Sequence, residues 1–96
     1  MIIRLHEGVE QDLASASDFY EEQGAGLGDY FLDSIFADIE SLHLYAGIHS
    51  KHFGYHRLLA KRFPFAIYYR TDPDLVLVYA ILDCRQNPAF IRHRLT

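Results

Sequence analysis

The stretch RFPFAIYYRTDPDLVLVYAILDCRQNP, residues 62–88, decides the fold of this chain. It contains two runs of aromatic and β-branched residues, FAIYYR at 65–70 and LVLVYAIL at 75–82, and such runs are typical of strands. The sequence TDPD between them favours a reverse turn. Because so short a connection joins antiparallel neighbours, the stretch predicts a pair of antiparallel strands.

Two more strands are predicted, at IIRLH, residues 2–6, and at YHRLLAK, residues 55–61. Between them the apolar residues recur every three to four positions, which is the period of an amphipathic helix. The first apolar stripe consists of Val9, Leu13, Ala16 and Tyr20, and the second of Phe31, Ile35, Ile39, Leu42 and Ala46. The glycine-rich segment QGAGLG, residues 23–28, separates the two helices, and the second helix runs roughly five turns to about Gly47.

These elements predict an α+β fold in a single domain, residues 1–96. The order is strand, helix, helix and three strands, so the helical hairpin packs its apolar stripes on one face of a small, mainly antiparallel sheet. The C-terminal segment NPAFIRHRL can add a short helix that begins at Pro88, because proline suits the first helical turn.

The run LVLVYAIL has apolar side chains at both alternating positions, as in a strand that is covered on both faces. The helical hairpin covers only one face of the predicted sheet. Burying a Val or Leu side chain contributes about 1.5 to 3 kcal/mol, so an uncovered strip favours the binding of a partner. The alternative is that the C-terminal segment and the aromatic side chains cover this strip themselves.

The net charge of −4 conceals an asymmetry between the two halves of the chain. Residues 1–48 carry ten acidic residues and one basic residue, which gives −9, and residues 49–96 carry three acidic and eight basic residues, which gives +5. The C-terminal half is therefore expected to meet an acidic partner. The alternative is that these charges form ordinary solvated faces.

No cofactor or metal is predicted. His43, His49, His52 and His56 fall within fourteen residues, but they span a helix end and a loop without the short, paired spacing of a zinc site. The single cysteine, Cys84, cannot form an internal disulfide and is interpreted as a small buried hydrophobe at a strand end. We expect a cytoplasmic location without membrane attachment, because the N-terminus lacks a signal-peptide core and no apolar segment is long enough to span a bilayer.

Arg57, Arg70 and Arg85 are predicted on strands or at strand ends, where a guanidinium can grip phosphate or carboxylate groups. Tyr68 and Tyr69 precede Arg70, and such a surface could stack nucleotide bases. The alternative is that the arginines pair with the acidic residues of the helical half or with those of a bound peptide.

Taken in order, these segments resemble the RelE/ParE toxin superfamily of type II toxin-antitoxin systems. The resemblance rests on ASASDFYEEQGAGLGDYFLDSIFADIESL at 14–42, HRLLAKRFPFAIYYR at 56–70 and LVLVYAILDCRQNP at 75–88, and so covers nearly the whole chain. The FPF and CRQNP segments are closer to the ParE-like branch. The resemblance implies a toxin with the same α/β fold, and a cognate antitoxin whose C-terminal segment wraps its surface and covers the apolar strip.

The resemblance implies two competing targets. ParE-like members inhibit DNA gyrase without a comparable catalytic set, whereas RelE-like members are ribosome-dependent mRNA endonucleases that need a residue for proton transfer. Gln86, Asn87 and Pro88 follow Arg85 in this chain, and none of them titrates usefully. A net negative chain also fits ribosomal RNA poorly. Gyrase is therefore the predicted target, and the alternatives are an endonuclease that acts on the ribosome and mRNA, or an inactive antitoxin-binding homologue.

Two sets of site residues follow. The predicted partner-binding residues are Arg57, Tyr68, Arg70, Val76, Val78 and Arg85. If the chain is a nuclease, the resemblance implies that Arg57, Lys61 and Arg85 hold the phosphate and that His93 acts as the base.

Overall fold

The computed structural model describes residues 1–96 and contains five strands and four helices. These are β1 (Ile2–Leu5), α1 (Glu7–Gln23), α2 (Leu27–Glu40), α3 (Leu42–Tyr45), β2 (Lys51–His52), β3 (Tyr55–Leu59), β4 (Phe65–Asp72), β5 (Leu75–Asp83) and α4 (Pro88–Leu95). The strands form one sheet in the order β1-β5-β4-β3-β2, in which β1 runs parallel to β5 and the other neighbours are antiparallel. The predicted α+β fold is confirmed, including the helical hairpin and the short C-terminal helix.

Helix α1 begins after His6, which has an extended backbone and accepts a hydrogen bond at Nδ1 from the Gly8 N–H at 3.4 Å. Glu7 and Glu10 place negative charge in the first turn, where it interacts favourably with the helix dipole. The buried residues of α1 are Val9, Leu13 and Ala16. They contact the sheet and α2, so the predicted apolar stripe faces the core.

The connection between α1 and α2 is tight. The Glu21 carboxylate accepts hydrogen bonds from the backbone N–H groups of Gly26 at 3.1 Å and Gly28 at 2.9 Å. These two bonds hold the pKa of Glu21 below its ordinary value. A Cβ atom at Gly28 would lie 2.9 Å from the carbonyl oxygen of Ser17, so the two helices approach closely only because this residue is glycine.

The second helical segment is interrupted, which corrects the prediction of one helix that runs to Gly47. Helix α2 ends at Glu40, and α3 continues as one turn. The Ser41 hydroxyl donates to the carbonyl oxygen of Asp38 at 2.6 Å, and such a side-chain bond competes with the helical hydrogen-bond ladder. The interruption is small, because Ser41 keeps a helical φ of −59° and ψ of −19°.

A β-bulge explains why β5 is apolar at both alternating positions. Tyr69 lies opposite Val78, but Tyr68 lies opposite Ala80, so Tyr79 is an extra residue in β5. Before the bulge, Val76 and Val78 pack in the helix-side core, and after it Ala80 and Leu82 pack on the other face, which we call the far face.

The far face is covered in part by α4, whose Ile91 and Leu95 pack against Ala66, Tyr68, Ala80 and Leu82. In β5 the residues Val76, Val78, Ala80, Ile81 and Leu82 are all buried within the chain. The C-terminal segment therefore covers the strip at Ala80 and Leu82, as the alternative expected, whereas Leu75 and Leu77 on the far face remain partly exposed. The prediction of an uncovered apolar strip is wrong for the end of β5 under α4 and stays a prediction for the end beside β1.

Strand β5 extends beyond its pairing with β1, and this leaves a free edge. Side chains bind the backbone and cover this edge. The Ile81 N–H donates to Oδ2 of Asp12 at 3.1 Å. Arg94 reaches from α4 across this edge and donates to both carboxylate oxygens of Asp12, at 2.7 and 2.9 Å. The Asp12 carboxylate on α1 thus binds both the sheet edge and the C-terminal helix.

The opposite edge of the sheet is a short hairpin that the sequence patterns missed. Strand β2 has two residues, and Phe53 and Gly54 connect it to β3. Both connecting residues have positive φ, 55° at Phe53 and 86° at Gly54, as in a type I′ turn. None of the four helices combines the length and apolar character needed to cross a membrane.

Candidate functional site: the far face of the sheet

Three arginines lie on the far face. In β4, Tyr68 packs on this face, and Arg70, two residues on, points the same way. Arg57 of β3 lies opposite Tyr68, and Arg4 of β1 is in register with Leu77, the partner of Arg70. Because adjacent strands are about 4.8 Å apart, the α-carbons of Arg4 and Arg70 are separated by about 10 Å.

None of these three arginines has a carboxylate partner. The ion pairs of the chain are His43 with Glu40, Arg85 with Asp83 and Arg94 with Asp12. The alternative in which Arg57 and Arg70 pair with the helical acids is therefore wrong, whereas Arg94, which the sequence did not single out, does form such a pair. The guanidinium groups of Arg4, Arg57 and Arg70 remain available to an outside anion.

The aromatic rings near these arginines stack on one another. The Arg70 guanidinium lies 4.3 Å from the Tyr55 ring centroid, Tyr55 stacks on Tyr79 at 4.6 Å, and Tyr79 meets the His6 ring at 4.7 Å. Burial raises the pKa of Tyr55, so its hydroxyl stays neutral at physiological pH. The stack is closed by Arg70 at one end and His6 at the other, which leaves no free ring face between its members.

The two tyrosines expected to stack bases do not form a surface. Tyr68 is buried on the far face under α4, and Tyr69 is buried in the helix-side core. The prediction of a base-stacking platform beside Arg70 is therefore wrong, because neighbouring strand residues point to opposite faces and both of these are covered.

Two other predicted partner-binding residues are also inaccessible. Val76 and Val78 have no exposed surface, because α1 and α2 cover them. Arg85 is exposed, but it donates to the Asp83 carboxylate at 2.8 and 3.0 Å, and this bond lowers the pKa of Asp83. Of the six predicted residues, Arg57 and Arg70 combine placement on the far face with the lack of an internal carboxylate partner.

The four residues that a nuclease would need do not share one cavity, although Arg57 and Arg85 both lie near Cys84. Arg57 lies on the far face beside Tyr68, whereas the Lys61 N–H donates to Asp38 on α2 at 3.2 Å. Arg85 bonds its neighbour Asp83, and His93 is exposed on α4. No cavity of the chain is lined by more than one of these four side chains.

Cys84 follows β5 and lies near Arg57. The residue is exposed overall, which corrects the expectation of a buried cysteine, yet packing around the thiol raises its pKa even though the Arg57 charge acts in the opposite direction. A raised pKa keeps the thiol protonated at neutral pH, and the thiolate is the nucleophilic form.

The four clustered histidines make separate contacts. His49 Nδ1 hydrogen-bonds the Tyr69 hydroxyl, and His56 Nδ1 donates to the His49 carbonyl oxygen at 2.6 Å. His43 lies 3.6 Å from Glu40, and His52 contacts the Ser50 hydroxyl at 3.3 Å. No group of three His, Cys, Asp or Glu side chains in the chain is placed to hold a metal ion.

The largest cavity, of about 460 Å³, lies at the free edge of β5 between α1 and α4. Its apolar lining includes Phe19, Ile81 and Phe90, and Asp12 and Arg94 lie at its wall. Phe19 and Phe90 are both about half exposed. The sequence patterns did not predict this groove. It depends on where β1 ends relative to β5, and residue patterns do not encode that position.

The sequence patterns also missed a group at the other edge. Phe53 is half exposed at the β2–β3 turn, and the Arg92 guanidinium of α4 lies 6.0 Å from its ring centroid. The available signal was the pair Phe-Gly at 53–54, since glycine is favoured in a two-residue hairpin turn. A phenylalanine in that position is unusual.

Comparison with known proteins agrees with this architecture. Residues 3–88 match the family model described as the ParE toxin of the type II toxin-antitoxin system parDE. A solved structure described as the chromosomal ParDE TA system from P. aeruginosa superimposes with a TM-score of 0.75. The two chains are 20% identical, and the alignment covers 84% of this chain and 92% of the other.

At that identity the solved structure shows that the two chains share a fold. No curated protein matches the chain in sequence. The family model, however, spans all the strands and both helices of the hairpin. On that match, the chain belongs to the ParE toxin family of type II toxin-antitoxin systems.

Proposed function

We propose that this chain is a toxin that inhibits DNA gyrase and is neutralised by a cognate antitoxin. Membership of the ParE family supports the toxin role. The choice of target rests on the chemistry of the chain, because the same fold can carry unrelated activities.

We favour gyrase as the target because the four residues that a nuclease would need do not share one cavity. These residues are Arg57, Lys61, Arg85 and His93. General acid-base catalysis requires the proton-transfer group within hydrogen-bond reach of the reacting atoms. Arg57 lies on the far face, whereas Lys61 follows β3 and lines a cavity with Asp38 of α2, and Arg85 is occupied by Asp83. Because these side chains do not line one cavity, we favour action by binding over RNA cleavage.

The groove at the free edge of β5 supports the antitoxin part of the proposal. It has a volume of about 460 Å³ and carries the half-exposed side chains Phe19 and Phe90. Apolar side chains from a partner segment would be stabilised there by burial. We propose this groove for the antitoxin, because α4 already covers the strip on β5 at Ala80 and Leu82.

For the target, we propose that Arg57 and Arg70 contribute binding contacts. Both lie on the far face without an internal carboxylate, and guanidinium groups bind carboxylates bidentately.

Two assays with the purified chain test the proposal. We expect it to inhibit supercoiling of relaxed plasmid by gyrase and to leave ribosome-bound mRNA intact in primer extension. Cleaved mRNA with normal supercoiling would favour the endonuclease, above all if His93→Ala abolished the cutting. Failure in both assays, together with normal growth on expression, would identify an inactive antitoxin-binding homologue.

A further inference from the structure

The β2–β3 turn carries a side chain that the fold does not require. We propose that Phe53 is an aromatic anchor for a protein partner that presents carboxylates to the arginines around this turn. The inference rests on the proposed function, because we take the partner to be the target of the toxin.

The backbone of Phe53 has an unfavourable conformation. Phe53 is the only non-glycine residue of the chain with positive φ, at 55°. In this region the Cβ atom of an L-residue is crowded by its own backbone, and bulky residues are rare there. Asparagine and glycine are the residues that favour this turn. The chain therefore holds a strained residue where a better turn former would fit.

Internal packing does not explain the choice of phenylalanine at position 53. Phe53 belongs to neither hydrophobic cluster, and its surface is 49% exposed. Its ring contacts the Arg92 guanidinium at 6.0 Å from the ring centroid, at the limit of a cation–π contact. Strained residues that packing does not reward tend to occur at functional sites.

The surface around the turn is positively charged. The nearby cationic side chains are Lys51, Arg57, Arg70 and Arg92, and none of them forms an ion pair within the chain. A cavity of about 350 Å³ beside the turn is lined by Lys51 and Arg70 and contains one carboxylate, that of Asp72. An exposed aromatic ring among unpaired arginines is the composition of an interface hot spot, and its charge suits an acidic partner.

A protein fits this surface better than a nucleic acid. Single-stranded nucleic acids bind on successive aromatic rings with free faces. Here the other rings of the far face are already in contact, because Tyr55 stacks on Tyr79 and the tilted His6 ring packs against Tyr79. Phe53 alone is available, and one anchor beside guanidinium groups suits a carboxylate-bearing protein surface.

The position of the turn separates it from the proposed antitoxin groove. The groove lies at the free edge of β5, whereas β2 forms the opposite edge of the sheet. With strands about 4.8 Å apart, three strand spacings place the two edges about 15 Å from each other. We therefore propose that the target of the toxin binds at the β2–β3 turn. It can bind there when no antitoxin is bound in the groove.

The test compares Phe53→Asn with Phe36→Asn. Phe36 is 43% exposed on α2, so the control removes an equally exposed aromatic side chain from the helical layer. We expect Phe53→Asn to raise Tm by about 4 °C through relief of strain, and to raise the concentration for half-inhibition of gyrase about tenfold or more. Phe36→Asn should inhibit like the wild type, and Phe53→Trp should retain inhibition because it keeps an aromatic anchor.

A charge comparison completes the test. Arg92→Glu should weaken inhibition about tenfold, whereas Arg62→Glu, on the α2 side beside Tyr30, should change it less than about twofold. Unchanged inhibition by Phe53→Asn, an equal loss in Phe36→Asn, or a lowered Tm of Phe53→Asn would overturn the inference.

Three other outcomes would show that something other than the target binds at this turn, and each would also overturn the inference. These are an equal loss of antitoxin affinity in Phe53→Asn, a loss of binding to labelled oligo(dT), or a change in the oligomeric state of the chain. If the wild-type chain does not inhibit gyrase, the proposed function is overturned. The proposal that the target binds at the β2–β3 turn is then overturned as well. Wild-type inhibition with an unaffected Phe53→Asn overturns the anchor alone.

Discussion

The two edges of the sheet are built in opposite ways. At the free edge of β5, the Asp12 carboxylate satisfies the Ile81 N–H and pairs with both terminal nitrogens of Arg94. At the β2–β3 edge, Phe53 is strained and half exposed, and Arg57 and Arg70 have no internal ion pair. The first edge uses its polar groups to stabilise the fold, and the second leaves them free for recognition.

This difference indicates where substitutions should affect stability and where they should affect binding. Polar groups that are buried and mutually bonded are costly to separate. Exposed charges without partners contribute little to the free energy of unfolding. The following predictions run from the largest expected effect on stability to the smallest.

Asp12→Ala should be the most destabilising of these changes. It leaves the Ile81 N–H without its acceptor and the partly buried Arg94 guanidinium without its counter-ion. We expect a loss of about 3 kcal/mol in the free energy of unfolding, measured by urea denaturation. The control is Asp18→Ala, an exposed position on the same helix. Equal losses in the two variants would show that the β5 edge is not a stabilising site.

Tyr69→Phe should cost about 1 to 2 kcal/mol, because it leaves buried polar groups unpaired beside β2. The Tyr69 hydroxyl accepts the Gly47 N–H at 3.0 Å and hydrogen-bonds His49 Nδ1. Tyr45→Phe, on an exposed tyrosine of α3, is the matched control. If thermal unfolding gave the same midpoint for Tyr69→Phe and the wild type, the loop before β2 would be held by packing alone.

The loop before β2 should loosen in mild acid. Burial, with a smaller contribution from His56, lowers the pKa of His49. The unfolded chain then binds this proton more readily than the folded chain, so stability is complete above the ordinary pKa near 6.5 and falls as pH drops through it. Between pH 7 and 5, His49→Gln should lose less stability than the wild type. Parallel curves of unfolding free energy against pH would contradict this.

Arg57→Glu should change the free energy of unfolding by less than about 0.5 kcal/mol, and Arg70→Glu should cost about 1 kcal/mol because it removes the cation–π contact with Tyr55. Neither guanidinium has a carboxylate partner within the chain. The same variants should weaken inhibition of gyrase, and added salt should reduce the wild-type advantage. A loss of several kcal/mol in urea denaturation would indicate an internal role for these arginines.

Much of the fold could be predicted from local patterns. The stripes of α1 and α2, the turn at 72–74 and the start of α4 at Pro88 each depend on neighbouring residues. The parallel pairing of β1 with β5 and the bulge at Tyr79 depend on contacts between distant segments. For that reason the apolar pattern of LVLVYAIL predicts a strand that needs a partner on one face, whereas a register shift and α4 account for its buried residues Ala80, Ile81 and Leu82.

The site was harder to predict than the fold. Arg57 and Arg70 could be named because they lie in clear strands, but Tyr68, Val76 and Val78 were misplaced because the covered faces were unknown. Phe53 and Arg92 are 39 residues apart in sequence and meet only in the folded chain. A two-residue strand such as β2 gives no periodic signal, so its strained turn could not be recognised.

Amide hydrogen exchange of the chain with and without gyrase tests the division between the two edges most directly. We predict that gyrase slows exchange at residues 51–57, around the β2–β3 turn, and leaves residues 80–83 of β5 unchanged. Protection of 80–83 without protection of 51–57 would contradict the account, because the target would then occupy the edge that we assign to stability and to the antitoxin.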